Sequence, residues 1–128
     1  MGVCCGVDIV EISRIKHSLE SGGEAFKKRV FTEKEIEYCE GKKFAKYQSY
    51  AARFAAKEAV SKAFGTGIGQ YISWKDIEVI NDEKGMPRIE LSDKAKELFY
   101  SINGSGISIS LSHCKDYAIA YVVFELRK

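Results

Sequence analysis

The sequence has little of the material that marks membrane, secreted or disordered proteins. It contains one proline, four cysteines and no long apolar run among its 128 residues. The apolar start of the chain is interrupted by Asp8 and Glu11, before the core of a signal peptide or a membrane span could form. Because 45% of the residues are hydrophobic, we expect residues 1–128 to form one compact domain with a buried core.

The cysteines and the charge balance exclude further classes of protein. Cys4 and Cys5 are adjacent and the other two cysteines are isolated, so the sequence has no zinc-binding spacing and predicts no disulfide framework. A net charge of +2 provides no overall basic field of the kind that nucleic-acid-binding proteins carry. The sequence therefore predicts a reduced, cytoplasmic protein that binds neither nucleic acid nor membrane.

A stretch rich in alanine predicts a long central helix from about Phe44 to Phe64. Small apolar residues recur there at i, i+3 and i+4, and Gly65 can adopt the left-handed conformation that ends a helix. The predicted apolar face consists of Ala52, Ala55, Ala56, Ala59, Val60 and Ala63. The polar residues expected across from it are Arg53, Lys57, Glu58, Ser61 and Lys62.

Four of the candidate site residues each have two interpretations from the pattern alone. Glu58 and Lys62 lie four residues apart on the helix, so they form either an active-site wall or a solvated ion pair of little energetic value. Asp8 lies near the end of an apolar strand, where it is either a site carboxylate or a turn residue. His113, where a strand meets its turn, is either a ligand or a surface residue.

The order of the remaining elements predicts an α+β fold, with an antiparallel sheet packed on the long helix. The sheet and a hairpin would come from five predicted strands: 3–10, 74–81, 87–91, 107–112 and 117–126. A short helix over 13–19 would end at Gly22-Gly23, and a further basic turn would follow over 24–30. Thr32 and Glu35 form a capping box that starts a helix ending at Gly41, and another helix would run from Ser92 to Asn103.

Three ordered motifs together resemble a known family. They are Gly6-Val7-Asp8-Ile9-Val10-Glu11-Ile12 with Arg14, Arg53-Phe54-Ala55-Ala56-Lys57-Glu58-Ala59 with Lys62, and Ser110-Leu111-Ser112-His113. In this order they resemble bacterial holo-acyl-carrier-protein synthase, over essentially the whole chain. The resemblance implies the single-lobed 4′-phosphopantetheinyl transferase fold. It also implies transfer of 4′-phosphopantetheine from coenzyme A to a serine of apo-acyl carrier protein, which releases adenosine 3′,5′-bisphosphate and serves fatty acid biosynthesis.

The resemblance further implies a magnesium-dependent site. Asp8 and Glu58 would hold Mg²⁺, for which Mn²⁺ can substitute, and Lys62 would stabilise the charge of the leaving phosphate. Glu58 would act as the base for the serine, directly or through a water on the metal. An alternative is that Asp8 shares this role.

Two binding surfaces and an assembly are implied as well. The 3′-phosphate of coenzyme A would contact Arg53. Other parts of coenzyme A would contact Ser61, Lys62, Gly65, Gly85, Pro87 and His113. The acidic carrier protein would dock on the first helix, through Arg14, Lys16, Phe26, Lys27, Lys28, Arg29 and Phe54. Three subunits would assemble into a homotrimer, with each site at a subunit boundary.

A hypothesis from another class stays open at this point. The same chain could be a noncatalytic module that binds coenzyme A or an acidic protein, with its carboxylates neutralised by a lysine. Dependence on a divalent cation separates the two hypotheses, since a transferase needs the metal for turnover and a docking module does not.

Overall fold

In the computed structural model, which describes residues 2–128, a long helix packs against one face of a three-stranded antiparallel sheet. The predicted α+β class is therefore confirmed. In chain order the elements are β1 (Gly2–Glu11), α1 (Ile12–Val30), α2 (Glu33–Glu40), α3 (Lys46–Phe64), β2 (Ile77–Asn81), β3 (Pro87–Leu91), α4 (Asp93–Ser101), β4 (Gly104–His113) and β5 (Tyr117–Leu126). The sheet has the strand order β1-β5-β4, and β2 and β3 form a separate hairpin.

The central helix α3 is buried along its alanine face, as the sequence predicts. Ala55, Ala56 and Ala59 are fully inaccessible to solvent, and the side chains they face come largely from β1 and β5. Small side chains allow this close packing because they keep the helix backbone near the sheet. Gly65 then ends the helix in the left-handed conformation, with φ of 83°.

The closest approach between the helix and the sheet occurs at Gly6 on β1. A Cβ atom at this position would lie 2.0 Å from the carbonyl oxygen of Ala59 and 2.8 Å from the amide nitrogen of Ala63. Both neighbours are backbone atoms of α3 that cannot move aside without shifting the helix. Only glycine therefore permits β1 to lie this close to α3.

The polar side of α3 differs from the sequence prediction. Arg53, Lys57 and Ser61 were expected among residues across from the core, but all three are buried, with 4%, 0% and 0% exposure. The physical reason is a second layer of structure, since α2 and β2 also contact α3 and cover this side of it. Glu58 and Lys62 remain at the accessible rim, as predicted.

Several predicted boundaries are confirmed and others are corrected. The chain breaks its helical course at Gly23, and Thr32 and Glu35 form the predicted capping box. The strand expected over 74–81 starts at Ile77, because a capping interaction between Ser73 and Asp76 turns residues 74–76 into a 3₁₀ helix. The last helix ends at Ser101 rather than at residue 103.

The first strand was expected to be buried, but only one of its faces is. Val3 and Ile9 on the outer face are 64% and 62% exposed, and Ile119 and Tyr121 of β5 continue the same apolar surface. Among residues 2–128, no helix combines the length and the apolar character that crossing a bilayer requires.

Candidate active site

Asp8 lies on the inner face of β1, two residues after the contact between Gly6 and α3. Strand side chains alternate, so residues 6 and 8 face the helix together. The Asp8 side chain is 18% exposed, and its Oδ1 atom lies 3.1 Å from Nζ of Lys62. The same ammonium donates a hydrogen bond to the carbonyl of Val7 at 3.0 Å. The predicted lysine is thus held against the predicted carboxylate.

Glu58 faces the same region from α3. It lines a cleft of about 290 Å³ together with Asp8. Burial raises the pKa of Glu58 above its ordinary value, and the Asp8 carboxylate raises it further, while Lys62 lowers it. A carboxylate with a raised pKa is a stronger proton acceptor, which suits a general base.

The cleft also collects residues predicted to receive the carrier protein. Arg14, Phe26 and Phe54 line it beside the two carboxylates. Phe54 stacks on Trp74 with ring centroids 4.8 Å apart, so one wall of the cleft is rigid and aromatic. The structure therefore brings together one predicted basic contact, both predicted aromatic contacts and the carboxylates.

The other predicted carrier contacts lie outside this cleft. Lys16 lies over the ring of Tyr47 at 5.3 Å, and the Arg29 guanidinium lies 5.8 Å from the centroid of Phe26. Lys27 forms ion pairs with Glu24 and Glu40 at 3.4 and 3.3 Å, while Lys28 is exposed. Lys27 thus already has carboxylate partners within the chain.

Four of the predicted coenzyme A contacts line a second cleft of about 460 Å³: Arg53, Gly85, Pro87 and His113. The Arg53 guanidinium stacks over Tyr38, 3.9 Å from the ring centroid, and donates a hydrogen bond to Oδ1 of Asn81. Its Nε atom is buried without a partner among the described residues. This cleft therefore offers a fixed cation beside an aromatic wall.

The remaining predicted coenzyme A contacts are elsewhere on α3. Ser61 is buried and donates a hydrogen bond to the carbonyl of Glu58 at 2.7 Å, and Gly65 caps the helix. Lys62 is half exposed and pairs with Asp8. The two clefts involve β1 and β4, which are the opposite edges of the three-stranded sheet. Within one chain, the structure thus divides the predicted contacts into two groups.

Sequence reasoning missed the residues that hold the site in place. In the sequence Gly6 stands out only as part of a motif, although a glycine inside an apolar strand is itself a signal of close backbone approach. The sequence predicts only a helix cap for Glu35, yet its Oε1 atom also pairs with Nζ of Lys57 at 2.8 Å, with both side chains fully buried. No local pattern in the sequence indicates that pair, because its partners are 22 residues apart on different helices.

The donor set fits Mg²⁺ better than a metal that needs a full protein cage. Within residues 2–128 no group of three or more His, Cys, Asp or Glu side chains could hold a metal, so Asp8 and Glu58 stand as a pair. Mg²⁺ binds through one or two carboxylates and keeps water and substrate phosphates as its other ligands. Burial and then the Asp8 carboxylate raise the pKa of Glu58, and a cation between the two carboxylates would offset their repulsion.

The fold and the site define an α+β protein with two carboxylates in one cleft and a lysine paired with one of them, a set suited to phosphoryl transfer. The family model described as the 4′-phosphopantetheinyl transferase superfamily matches residues 4–122. The chain belongs to this superfamily. The resemblance that the three sequence motifs indicate is therefore confirmed.

Similar proteins from bacteria agree with this assignment. The chain is 57% identical to a holo-[acyl-carrier-protein] synthase of Ruminiclostridium cellulolyticum, over 98% of this chain and 94% of that protein. The crystal structure of Helicobacter pylori holo-[acyl-carrier-protein] synthase in complex with coenzyme A has a TM-score of 0.84 and 37% identity, covering 94% of this chain and 99% of that chain. The crystal structure of a Bacillus anthracis holo-(acyl-carrier-protein) synthase in complex with CoA (3′,5′-ADP) has a TM-score of 0.80 and 39% identity, covering 97% of this chain and 96% of that chain.

Proposed function

We propose that this enzyme transfers 4′-phosphopantetheine from coenzyme A to a serine of apo-acyl carrier protein in fatty acid biosynthesis. The observation that carries the proposal is the cleft that holds Asp8, Glu58 and Arg14 together, with Lys62 on Asp8. It combines a phosphoryl-transfer site with a basic docking residue for an acidic partner. The relatives named as holo-acyl-carrier-protein synthases support the same reaction.

The chemistry follows from the protonation and position of the cleft residues. Glu58 accepts the proton of the serine hydroxyl while the serine oxygen forms a bond to the phosphorus of the phosphopantetheine group. The phosphoanhydride bond to adenosine 3′,5′-bisphosphate breaks in the same displacement. Lys62 donates hydrogen bonds to the phosphate oxygens that gain charge as that group leaves.

We also propose that Asp8 and Glu58 hold Mg²⁺, with Mn²⁺ as a substitute. When bound, the ion would neutralise charge on the pyrophosphate oxygens of coenzyme A. Lys62 contacts Asp8 in the structure and would turn to the phosphate when both substrates are present. The noncatalytic hypothesis needs a lysine on the carboxylates, and Lys62 contacts one of them, Asp8, whereas the superfamily assignment favours an enzyme.

The division of the coenzyme A contacts supports a site at a subunit boundary. One subunit would supply Ser61, Lys62 and Gly65, and its neighbour would supply the cleft of Arg53, Gly85, Pro87 and His113. The exposed apolar face of β1 and β5, with Val3 and Ile9 64% and 62% exposed, is a surface that an oligomer would cover. We propose a homotrimer in the cytoplasm, where the four free cysteines stay reduced.

Mass spectrometry of an apo-carrier protein tests the function. After incubation with coenzyme A, Mg²⁺ and this enzyme, the carrier should gain the mass of one phosphopantetheine. A chelator should abolish the gain and added Mg²⁺ should restore it. Binding of the carrier without any mass gain, unchanged by chelator, would instead establish the noncatalytic module.

Light scattering of the native protein and of Ile9→Lys tests the assembly, since the lysine should prevent the trimer.

A further inference from the structure

We propose that Lys57 and Glu35 are positioning residues for coenzyme A, because their buried ion pair fixes the β2–β3 hairpin to the catalytic helix. The inference rests on the proposed function, since it assigns the nucleotide cleft to coenzyme A. Neither residue touches the cleft itself. Their effect is transmitted through the hairpin, whose turn and following strand supply Gly85 and Pro87 to the lining.

The buried ammonium of Lys57 makes one ion pair and two hydrogen bonds with other residues of the chain. Its ammonium contacts Oε1 of Glu35 at 2.8 Å, and it donates to the carbonyls of Trp74 and Ile77 at 3.0 and 2.6 Å. These carbonyls lie in the segment that leads into β2. An ammonium has three protons to donate, so all three are used in this arrangement. The lysine therefore ties the base of the hairpin to α3.

Glu35 completes the connection from the opposite side. Its Oε2 atom accepts a hydrogen bond from the amide of Val79 at 2.7 Å, and Oε1 accepts one from the amide of Thr32 at 2.9 Å. Val79 is the central residue of β2. The two oxygens thus join the start of α2, the ammonium on α3 and the middle of the hairpin strand.

A second attachment lies one helical turn away on α3. Arg53 donates a hydrogen bond to Asn81 at the end of β2, and the Asn81 amide donates to the carbonyl of Gly85 at 3.0 Å. Residues 53 and 57 are four apart and so share one face of the helix. The hairpin is therefore held at its base by Lys57 and near its turn by Arg53.

The geometry of α3 connects this face to the catalytic one. Successive residues of a helix are rotated by about 100°, so Lys57 facing the hairpin places Glu58 toward β1 and Asp8. The catalytic carboxylate has separate supports, because the alanine face and Gly6 fix α3 against the sheet. Loss of the ion pair should therefore loosen the nucleotide cleft more than the carboxylate cleft.

Removal of one partner alone would leave a buried charge uncompensated and could unfold the chain. The decisive variant is the double substitution Lys57→Met with Glu35→Gln, which removes both charges and the three lysine hydrogen bonds. Lys46→Met is the matched control, since Lys46 is also on α3 and pairs with Glu40 at 3.3 Å, away from the hairpin. Circular dichroism and thermal unfolding identify the folded variants.

Steady-state kinetics on the folded double variant test the positioning role. We expect the KM for coenzyme A to rise roughly tenfold, while kcat and the KM for the carrier protein change less than about twofold. Lys46→Met should leave all three constants unchanged. An unchanged KM for coenzyme A in the double variant, or an equal rise in both KM values, would overturn the inference.

Hydrogen exchange in the absence of any substrate separates this inference from the proposed function. Amides of β2 and β3, Val79 above all, should exchange faster in the double variant, while those of β1 and β5 keep their native rates. Unchanged exchange in the hairpin would overturn the inference even in an active enzyme. Failure of the native protein to modify any carrier would contradict the function, yet faster hairpin exchange would still support the mechanical connection.

Discussion

Two neighbouring rows of side chains on α3 both contain charged residues, but the two rows have different roles. The first row, at positions 53, 57 and 61, is buried, and the second, at 54, 58 and 62, reaches the carboxylate cleft or its rim. Each row repeats at intervals of four, and the two are displaced by one residue. Whether a charged residue on this helix is structural or chemical therefore depends on a rotation of about 100°.

The difference lies in how completely the protein satisfies each charge. Lys57 has three protein partners for its three protons and no contact with solvent. Glu58 is only partly buried, and the nearby Asp8 carboxylate adds to the burial that raises its pKa. A satisfied charge holds elements together, whereas an unsatisfied one remains available for a cation or a substrate proton.

The largest expected effect is a loss of turnover when either carboxylate of the cleft, Glu58 on the second row of α3 or Asp8 on β1, is replaced. Glu58→Gln and Asp8→Asn should each lower kcat by roughly 10²–10⁴-fold, because they remove the base or a metal ligand while preserving side-chain size. Carrier modification followed by mass spectrometry at saturating Mg²⁺ measures the loss. Glu97→Gln, an exposed position on α4, is the control. Near-normal turnover in both variants would contradict a catalytic role for the two carboxylates.

A pair of lysine variants compares the two rows directly. Lys57→Met should lower the free energy of unfolding by about 3–5 kcal/mol, because it strands the Glu35 carboxylate in the core. Lys62→Met should change it by less than about 1 kcal/mol, since that side chain is 50% exposed, yet it should lower kcat strongly. Urea denaturation and steady-state kinetics provide the two readouts. Equal stability losses in the two variants would contradict the distinction.

A smaller effect is expected at the rim of the carboxylate cleft. Arg14→Glu should raise the KM for an acidic carrier protein by roughly tenfold at low salt, through like-charge contact. Because the Debye length is about 8 Å at physiological ionic strength, salt should raise the KM of the native enzyme and affect the variant less. Lys94→Glu makes the same charge change on α4 and should leave the carrier KM unaltered. An unchanged KM and an unchanged salt dependence in Arg14→Glu would show that the carrier docks on another surface.

The smallest effect is a gain in stability from removing the Glu58 carboxylate. The folded chain binds the Glu58 proton more tightly than the unfolded chain, so this group costs stability as the pH rises above its ordinary pKa of 4.5. In the presence of chelator, Glu58→Gln should therefore unfold at a slightly higher temperature than the native protein at neutral pH. The difference should vanish well below pH 4.5, where both forms are uncharged. A lower Tm for the variant at neutral pH would contradict the assigned cause.

The fold and the composition of the carboxylate site could be predicted because their signals are local or ordered along the chain. The alanine face of α3, the Thr32 and Glu35 cap and the turn before Pro87 each depend on residues close in sequence. The motifs around Asp8 and Glu58 predict which residues form the site but not how those residues are arranged in space. The burial of Arg53 and Lys57 could not be predicted, because it depends on which distant elements cover that side of the helix.

The sequence by itself determined the α+β class and the α3 boundary at Gly65, and it predicts which carboxylates and lysine form the site. Periodicity, capping chemistry and motif order are properties of the chain and need no tertiary contact to be recognised. Only the tertiary structure decided that Lys57 pairs with Glu35, that Lys62 contacts Asp8, and that four of the seven predicted coenzyme A contacts line one cleft beside β4. Burial and charge pairing are decided by residues far apart in sequence, which only the packed chain brings together.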